Sequence, residues 1–596
     1  SRIEDVPLDD PGVYAMLARG GTSGVFQFES ALATDKLRAM KADRFDDLTA
    51  TNALIRPGPL DMGMDAVYIR RKLGQEAVSY PHPDLAEVLE PTYGVIVYQE
   101  QVMRIAQLLA GLSLAEADVL RKAVGKKDAA LIARELGGFV EKAVARGHER
   151  RTIEDIAQQI EAFGRYGFNK SHSAAYALLS YRTAWLKCHY PAEYMAALLS
   201  AVVDKTDSVV AYIAECRELG RSLPRIGTSG VEVLAPHVNE SRWKFNVVGE
   251  GVGSIRFGLG AIRGVGESAV RSILAAREAE GPFRSLFDLL CRIDLRLCNR
   301  RVVEALIGAG ALDGFAPAGR AQLMAALDAT FAAATTVQRE AESSQENLFD
   351  ALLGAESTSS VGMEPPPLPD VLRWQESERL AREKEILGFF ISGHPLDKFR
   401  EEVELFGGRV NTAALAEHRD RSVELACVVT AAARQISRRD GSEWGRITVE
   451  DYHGTATVLA FGESWAKARE LLAQDAPVLI RGTVSNRERD EEDPPIFLDS
   501  ATPLAELRAS GEIALELELG GADGPDRDSI RGARARLADA PGPAPVIVRW
   551  TDAGGETTHE QRLRSRTLRV SPRADLLQAL RETLGEERVK LTRTGS

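Results

Sequence analysis

The hydrophobic pattern changes period along the chain, and each change predicts a different kind of element. Through residues 1–235 apolar positions recur at helical spacing. The spacing is clearest in VMRIAQLLAGL (Val102–Leu112) and across Ala174–Leu199, which reads as one long helix. Gly and Pro interrupt the pattern at RPGPL (Arg56–Leu60) and around Tyr80–Pro83. Residues 236–330 open on a short strand-like piece. They continue with FGLGAIRGVGESAVRSILAAREAEGPF (Phe257–Phe283) and a second helical unit ending NRRVVEALIGAGALDGF (Asn299–Phe315). From 331 to 380, Ser, Thr, Glu and Pro dominate, which predicts a linker without a core of its own. Residues 400–505 alternate at period two between DG and HG turn signals. They predict five or so strands plus a helix at Ser464–Ala473, a combination that fits a small Greek-key barrel. The last stretch, 506–596, predicts a strand (IALELEL), a Gly/Pro/Asp-rich loop, two more strands and a closing helix, ADLLQALRETLG.

The expected fold class is therefore multidomain α+β. A mostly helical region at 1–235 is followed by a helical-hairpin unit at 236–330, a linker at 331–399, a barrel at 400–505 and a small α+β domain at 506–596. Self-similarity at solenoid periods is absent.

Composition narrows this picture only a little. Of 596 residues, 44% are hydrophobic and 27% charged, as in ordinary globular proteins. No run approaches the roughly 18 apolar residues of a membrane helix, and no signal peptide is evident. Ser1 at the start suggests a fragment or a processed product. The five cysteines are dispersed, without a CxxC pair. Cys/His spacing offers no zinc site, so no metal ligands are assigned, and a reducing cytoplasm is expected. The net charge of −13 argues, taken alone, against a nucleic-acid partner. Local basic patches outweigh it, because binding follows local charge.

The first such patch is LRKAVGKKD (Leu120–Asp128), where Gly125 is expected to end or bend a helix so that Lys126 and Lys127 project from a turn. A Lys pair on a turn suits phosphate; alone, it reads as a solvated basic turn. In FNKSHS (Phe168–Ser173), Lys170 is able to pair with a phosphate oxygen and His172 to donate a hydrogen bond. Ser171 and Ser173 are expected to cap the helix that starts there, whose free amides attract anions. Alone, this reads as a helix cap with a satisfied histidine. The adjacent pairs Asp9–Asp10 and Asp46–Asp47 diverge as side chains and read as helix-start and surface charges.

The order decides between these readings. RPGPL, PTYGVIVYQEQVM (Pro91–Met103), LRKAVGKKD and YGFNKSHSAAYALLSYRTAWLK follow one another in a sequence and spacing that closely resembles the fingers of the C-family replicative DNA polymerases of bacteria, the polymerase III alpha subunits. The resemblance extends over at least residues 1–330. It implies template-directed DNA synthesis from dNTPs in the parent protein, with residues 1–235 as the fingers. Carried over residue by residue, it assigns dNTP-phosphate contacts to Lys126, Lys127, Lys170 and His172, and further to Arg121 and Arg56. Tyr176 and Tyr181 become candidates either to face a base or to pack in the core.

The family polymerises with Mg2+ held by three palm aspartates, in a P-D-x-D-type motif and an F-D-F-L-G-like strand. A P-D-x-D string occurs once, at Pro525–Asp528 in the last predicted domain rather than ahead of the fingers, and no F-D-F-L-G-like strand accompanies it. The expectation is that this chain holds no catalytic aspartate, binds no Mg2+ itself and does not polymerise alone.

GLGAIRGVGESAV (Gly258–Val270) matches a helix-hairpin-helix signature. Gly264 and Gly266 flank a tight turn before a helix, where the backbone is able to approach a DNA phosphate, and Arg263 and Arg271 add charge. QENLF in the linker resembles the peptide with which the family docks on the sliding clamp, through Gln345, Leu348 and Phe349. The barrel segment resembles the family's OB-fold, which implies single-stranded DNA as a ligand. Its candidate contacts are Trp444, Tyr452, Phe461, Arg434, Arg438, Arg439 and Arg446, with Phe461 expected in the core. The last domain is similar to the one through which the family contacts the clamp-loader subunit. The competing reading is a non-catalytic DNA-binding scaffold of a repair or error-prone polymerase complex.

Overall fold

The computed structural model describes residues 2–126, 129–164, 167–203, 205–227, 230–346, 364–407, 410–437, 441–472, 476–487, 494–520, 524–552 and 559–594. These fall into two compact units. One comprises residues 1–319 and 323–369, the other residues 320–322 and 370–596.

The first unit begins with helices arranged around two cores. Helix Phe45–Leu54 buries every residue from Asp47 to Leu54. It lies against helix Lys170–His189, where the Ser173 hydroxyl donates to the Thr49 carbonyl at 2.5 Å. A second core joins helices Gln99–Ala110, Leu114–Lys126, Ala129–Ala145 and Arg150–Gly164 through Ile105, Leu109, Leu120, Phe139 and Ile156. Among the described residues, no helix is long and apolar enough to cross a membrane.

Several sequence-based expectations change here. Ala174–Leu199 is two helices, Lys170–His189 and Pro191–Ala201, because Pro191 has no N–H to continue the first and Tyr190 before it leaves the helical region at φ −131°, ψ 60°. Gly125 does not end its helix, which runs on to Lys126. Asp47 is not a surface charge. It is buried and accepts from Lys72 at 2.9 Å and from the Asp43 amide at 3.1 Å. Asp10 does start a helix, capping Gly12 at 2.8 Å, and also receives His189 at 2.7 Å.

Among the described residues, one lysine is fully buried. Lys187 donates to the carbonyls of Gly21 (3.2 Å) and Ser23 (2.7 Å) and to Glu215 (2.6 Å). A buried ammonium is tolerated only when its donors are satisfied, as they are here. It ties the loop at 20–28 to helix Lys170–His189.

Strands β1 (Val233–Leu234), β2 (Asn246–Val248) and β3 (Ser254–Arg256) form a small sheet in the order β1-β3-β2. The sheet leads into helix Glu267–Glu280, then helices Leu286–Arg292 and Arg300–Gly308. The expected linker starts later than its composition suggests. Helix Arg320–Glu346 continues well past 331, burying Leu323, Leu327 and Ala334. Gln338 Nε2 donates to the carbonyls of Leu290, Cys291 and Ile293 and pins it to the end of helix Leu286–Arg292.

In the second unit, β4 (Ser422–Ile436), β5 (Glu443–Glu450), β6 (Thr455–Phe461), β7 (Pro477–Val484) and β8 (Ile496–Pro503) close a barrel in the order β4-β5-β6-β8-β7. Closure removes unpaired strand edges. The barrel helix spans Gly462–Ala468, earlier than the expected Ser464–Ala473, and buries Trp465 and Ala468. Strands β9 (Ile513–Glu518), β10 (Pro541–Asp552), β11 (His559–Val570) and β12 (Val589–Arg593) form a sheet in the order β11-β10-β9-β12. Helices Arg527–Ala538 and Ala574–Leu584 share its core through Leu537, Leu577 and Leu580.

Candidate nucleotide and nucleic-acid interface

Three segments separated in sequence meet at the start of helix Lys170–His189. Tyr98 and Phe168 form a parallel bridge. The Gln99 amide donates to the Phe168 carbonyl at 2.8 Å, and Gln99 Nε2 donates to the Gly167 carbonyl at 3.1 Å. Arg121 Nη1 in turn donates to the Gln99 side-chain oxygen at 3.1 Å. Gln99 therefore holds Arg121 and the helix start in one place. The Arg56 guanidinium lies 4.2 Å from the Phe168 ring centroid, and Lys170 Nζ lies 5.6 Å from that of Tyr98.

The cap of this helix differs from the sequence expectation. Asn169, not Ser171 or Ser173, is the N-cap, and its side chain accepts the His172 amide at 2.9 Å. Ser171 is exposed and Ser173 is buried under Thr49. The Lys170 amide donates to Glu100 at 2.9 Å. The helix start thus presents its positive end beside exposed Lys170, His172 and Arg56.

Aromatic rings continue along the same helix. His172 stands 5.4 Å from Phe168 and 4.4 Å from Tyr176, and Tyr176 stands 5.6 Å from Phe26 on the loop that Lys187 anchors. Tyr181 does not join them. It is fully buried between Tyr14 and Phe45, its hydroxyl accepts the Asp10 amide at 3.1 Å, and burial pushes its pKa up to about 12. The two tyrosines therefore separate into Tyr176, half-exposed near the cations, and Tyr181, a core residue.

On helix Leu114–Lys126, Arg121 and Lys122 both reach Asp118, at 2.8 and 2.7 Å. Those hydrogen bonds, Lys122 first, hold the Asp118 carboxyl below its usual range. Lys126 is the last residue of that helix, and its side chain and Lys127 lie outside the described residues. Sequence reasoning missed Tyr98, Gln99 and Phe26. Tyr98 and Gln99 stand in the quoted PTYGVIVYQEQVM, but only the fold shows Gln99 joining two segments.

Carboxylates suited to a pair of metal ions are not offered by the aspartate pairs. Asp47 is taken up by Lys72 and Arg44, while Asp46 beside it is exposed.

The hairpin turn is open to solvent. Gly264 has φ +84°, and a Cβ at Gly264 or Gly266 would meet nothing within 4 Å. Ile262 and Val265 bury their side chains beside it, leaving the backbone outward. Gly266 precedes helix Glu267–Glu280. Arg263 is exposed; Arg271 is exposed too, but pairs with Glu267 at 2.5 Å.

On the barrel, Trp444 and Phe461 stack at 5.5 Å with 25° between their planes. Phe497 follows at 6.2 Å, and the Arg487 guanidinium lies 5.2 Å from the Phe497 ring. Phe461 is 49% exposed, which corrects its expected place in the core: it ends β6, where alternation turns it outward. Tyr452 instead packs on His394 and donates to Asp397 at 3.0 Å. Arg434 pairs with Glu443, and Arg446 is exposed. Arg438 and Arg439 lie outside the described residues, as do Leu348 and Phe349 of the expected clamp peptide. Gln345 falls in the last turn of helix Arg320–Glu346, with its side chain outside the description.

Comparison with known proteins finds three family models in the chain. Residues 1–147 match the bacterial DNA polymerase III alpha subunit finger domain, residues 230–323 a helix-hairpin-helix motif, and residues 429–504 an OB-fold nucleic acid binding domain. The chain is 38% identical over 615 residues to the DNA polymerase III subunit alpha of Pseudomonas aeruginosa, covering 99% of this chain and 50% of the relative. It is 37% identical over 598 residues to that of Escherichia coli K12, covering 99% and 49%, and 36% identical over 600 residues to that of Mycobacterium tuberculosis, covering 98% and 48%. The chain spans about half the length of the curated relatives it matches.

Proposed function

We propose that this chain, which belongs to the C-family of bacterial polymerase III alpha subunits and spans about half of such a protein, serves template-directed DNA synthesis by holding the incoming dNTP and the primer–template. The observation that carries the reading is the convergence of Arg56, Arg121, Lys170 and His172, from three separate segments, around Phe168 and Gln99.

Residues 1–235 act as fingers. Arg56, Lys170 and His172 hold the triphosphate at the helix start and Arg121 stands beside them; Lys126 and Lys127 are assigned to the same triphosphate by the family resemblance alone. Fixed cations and a helix N-terminus are what a polyphosphate needs, since its charge is spread over several oxygens. Tyr176 and Phe26 offer flat faces to a base. The metal-dependent step belongs to Mg2+ and carboxylates outside these residues, because the chain's own aspartate pairs do not fit the role.

Residues 236–330 grip the duplex through the amides around Gly264 and Gly266, with Arg263 and Arg271 adding charge. Contacts of this kind read no sequence, as a replicative enzyme requires. The segment 331–399 tethers the sliding clamp through Gln345, Leu348 and Phe349. The barrel at 400–505 binds single-stranded template by stacking on Trp444, Phe461 and Phe497. The domain at 506–596 meets the clamp-loader subunit. The compartment is the cytoplasm, in keeping with five free thiols.

The test is a split reconstitution. With Mg2+ and dNTPs, the chain alone should not extend a primer, whereas adding a palm-containing piece of a relative should restore extension. Extension by the chain alone refutes the assignment of roles. Failure of both, with DNA binding intact, favours the scaffold reading.

A further inference from the structure

Two loops that take no part in the interface above meet through a pair of histidines. His82 precedes the short helix Pro83–Leu85, and His148 lies in the turn between helices Ala129–Ala145 and Arg150–Gly164. A separation of 66 positions hides the pair from any reading of Cys/His spacing. In the fold, His82 Nε2 and His148 Nδ1 are 3.2 Å apart. Their rings stand at 86°, with centroids 4.8 Å apart. Asp84 lies beside them: its Oδ2 is 3.7 Å from His82 Nδ1, the ring nitrogen other than the one facing His148, and one ligand atom from each of the three residues lies within 4.8 Å of the others.

We propose that His82, His148 and Asp84 form a binding site for a divalent transition metal of the zinc type, one that clamps the loop at 82–84 to the turn at 146–149. Two nitrogens each about 2.0–2.1 Å from a tetrahedral ion stand roughly 3.3 Å apart. The 3.2 Å between the two histidine nitrogens is close to that spacing, whereas the carboxylate, within 4.8 Å, swings inward to complete the set. Both loops rest on one core, which holds Leu85 on one side and Ala143 and Ile153 on the other, so the two histidines are held together before an ion arrives. Two imidazoles and a carboxylate suit zinc, cobalt or nickel, whereas calcium and magnesium prefer all-oxygen shells. His82 and His148 are half-buried and Asp84 is exposed, which leaves room for water to complete the shell.

The competing arrangement is a plain hydrogen bond between the two imidazoles, with His82 Nδ1 accepting the Asp84 amide at 3.2 Å. A titration separates the two. Tag-free full chain is titrated with Co2+, reading the visible absorption of a protein-bound ion, and then with Zn2+ as competitor. His82→Asn, His148→Asn, the double variant and Asp84→Asn are run alongside, with circular dichroism to confirm that each is folded. The site predicts one saturable equivalent displaced by Zn2+, an affinity at least tenfold weaker in either histidine variant, and a smaller loss in Asp84→Asn. No saturable uptake by the wild type, or equal uptake by wild type and double variant, overturns the proposal. Unchanged binding by Asp84→Asn overturns the three-ligand form of it.

Discussion

The Arg56 guanidinium sits 4.2 Å from the centre of the Phe168 ring, joining the residue before the short helix Pro57–Asp61 to the start of helix Lys170–His189. A ring beneath a guanidinium orients it without consuming its hydrogen bonds, so Arg56 keeps donors for a phosphate.

Arg56→Ala and Lys170→Ala should each weaken dNTP binding about tenfold, the size of one lost charge-assisted contact at about 1.4 kcal/mol. Both residues are exposed, so melting temperatures should stay close to wild type. Isothermal titration with a non-hydrolysable dNTP, paired with thermal melts, checks both halves. A drop in stability without a change in affinity would place these residues in the scaffold instead.

Asn169→Ala should cost about 1 kcal/mol by removing the cap on the His172 amide. Ser171→Ala should cost less than about 0.5 kcal/mol, because that hydroxyl is exposed and is not the cap. Urea denaturation of the two variants distinguishes the observed cap from the serine cap that FNKSHS suggests.

The two candidate caps also mark how far the sequence is legible. Periodicity is enough for the helical start, the barrel and the final α+β region, since each buries one face at a fixed period. Convergence is not legible. Nothing in the linear pattern says that Gln99 touches residues 167 and 168, or that Asp47 lies under Lys72, because both facts depend on long-range packing. The break at Pro191 is readable from HYPAEY but is masked by the apolar run across it. The helical residues after 331 mislead for the opposite reason. Their composition is linker-like, while Ala334 is still buried and Gln338 bonds to the carbonyls that end helix Leu286–Arg292.

The Asp10 carboxyl carries a pH signature. Burial raises its pKa, but the hydrogen bonds from His189 and the Gly12 amide outweigh this and leave it below the ordinary 3.8. A lowered carboxyl contributes stability that is fully present above its unfolded value and is lost as pH falls through the folded one. Thermal melts between about pH 6 and pH 2 should show an acid limb that is shallower in Asp10→Asn. Identical limbs would remove Asp10 from the acid response.

Gly264→Ala should weaken duplex binding without a steric clash, because the added Cβ meets open space while φ +84° disfavours it. Wild-type affinity should fall steeply with salt, as bound phosphates release counterions. Fluorescence anisotropy of a labelled primer–template measures both. A flat salt profile contradicts the phosphate grip.

The most direct measurement is the affinity of the chain for a labelled primer–template with and without the next correct dNTP. Binding is expected to be tighter with the correct dNTP than with a mismatched one, and that gain to be lost in a Lys170→Ala/Arg56→Ala double variant that still binds DNA. Equal affinity with and without dNTP in the wild-type chain would contradict that expectation.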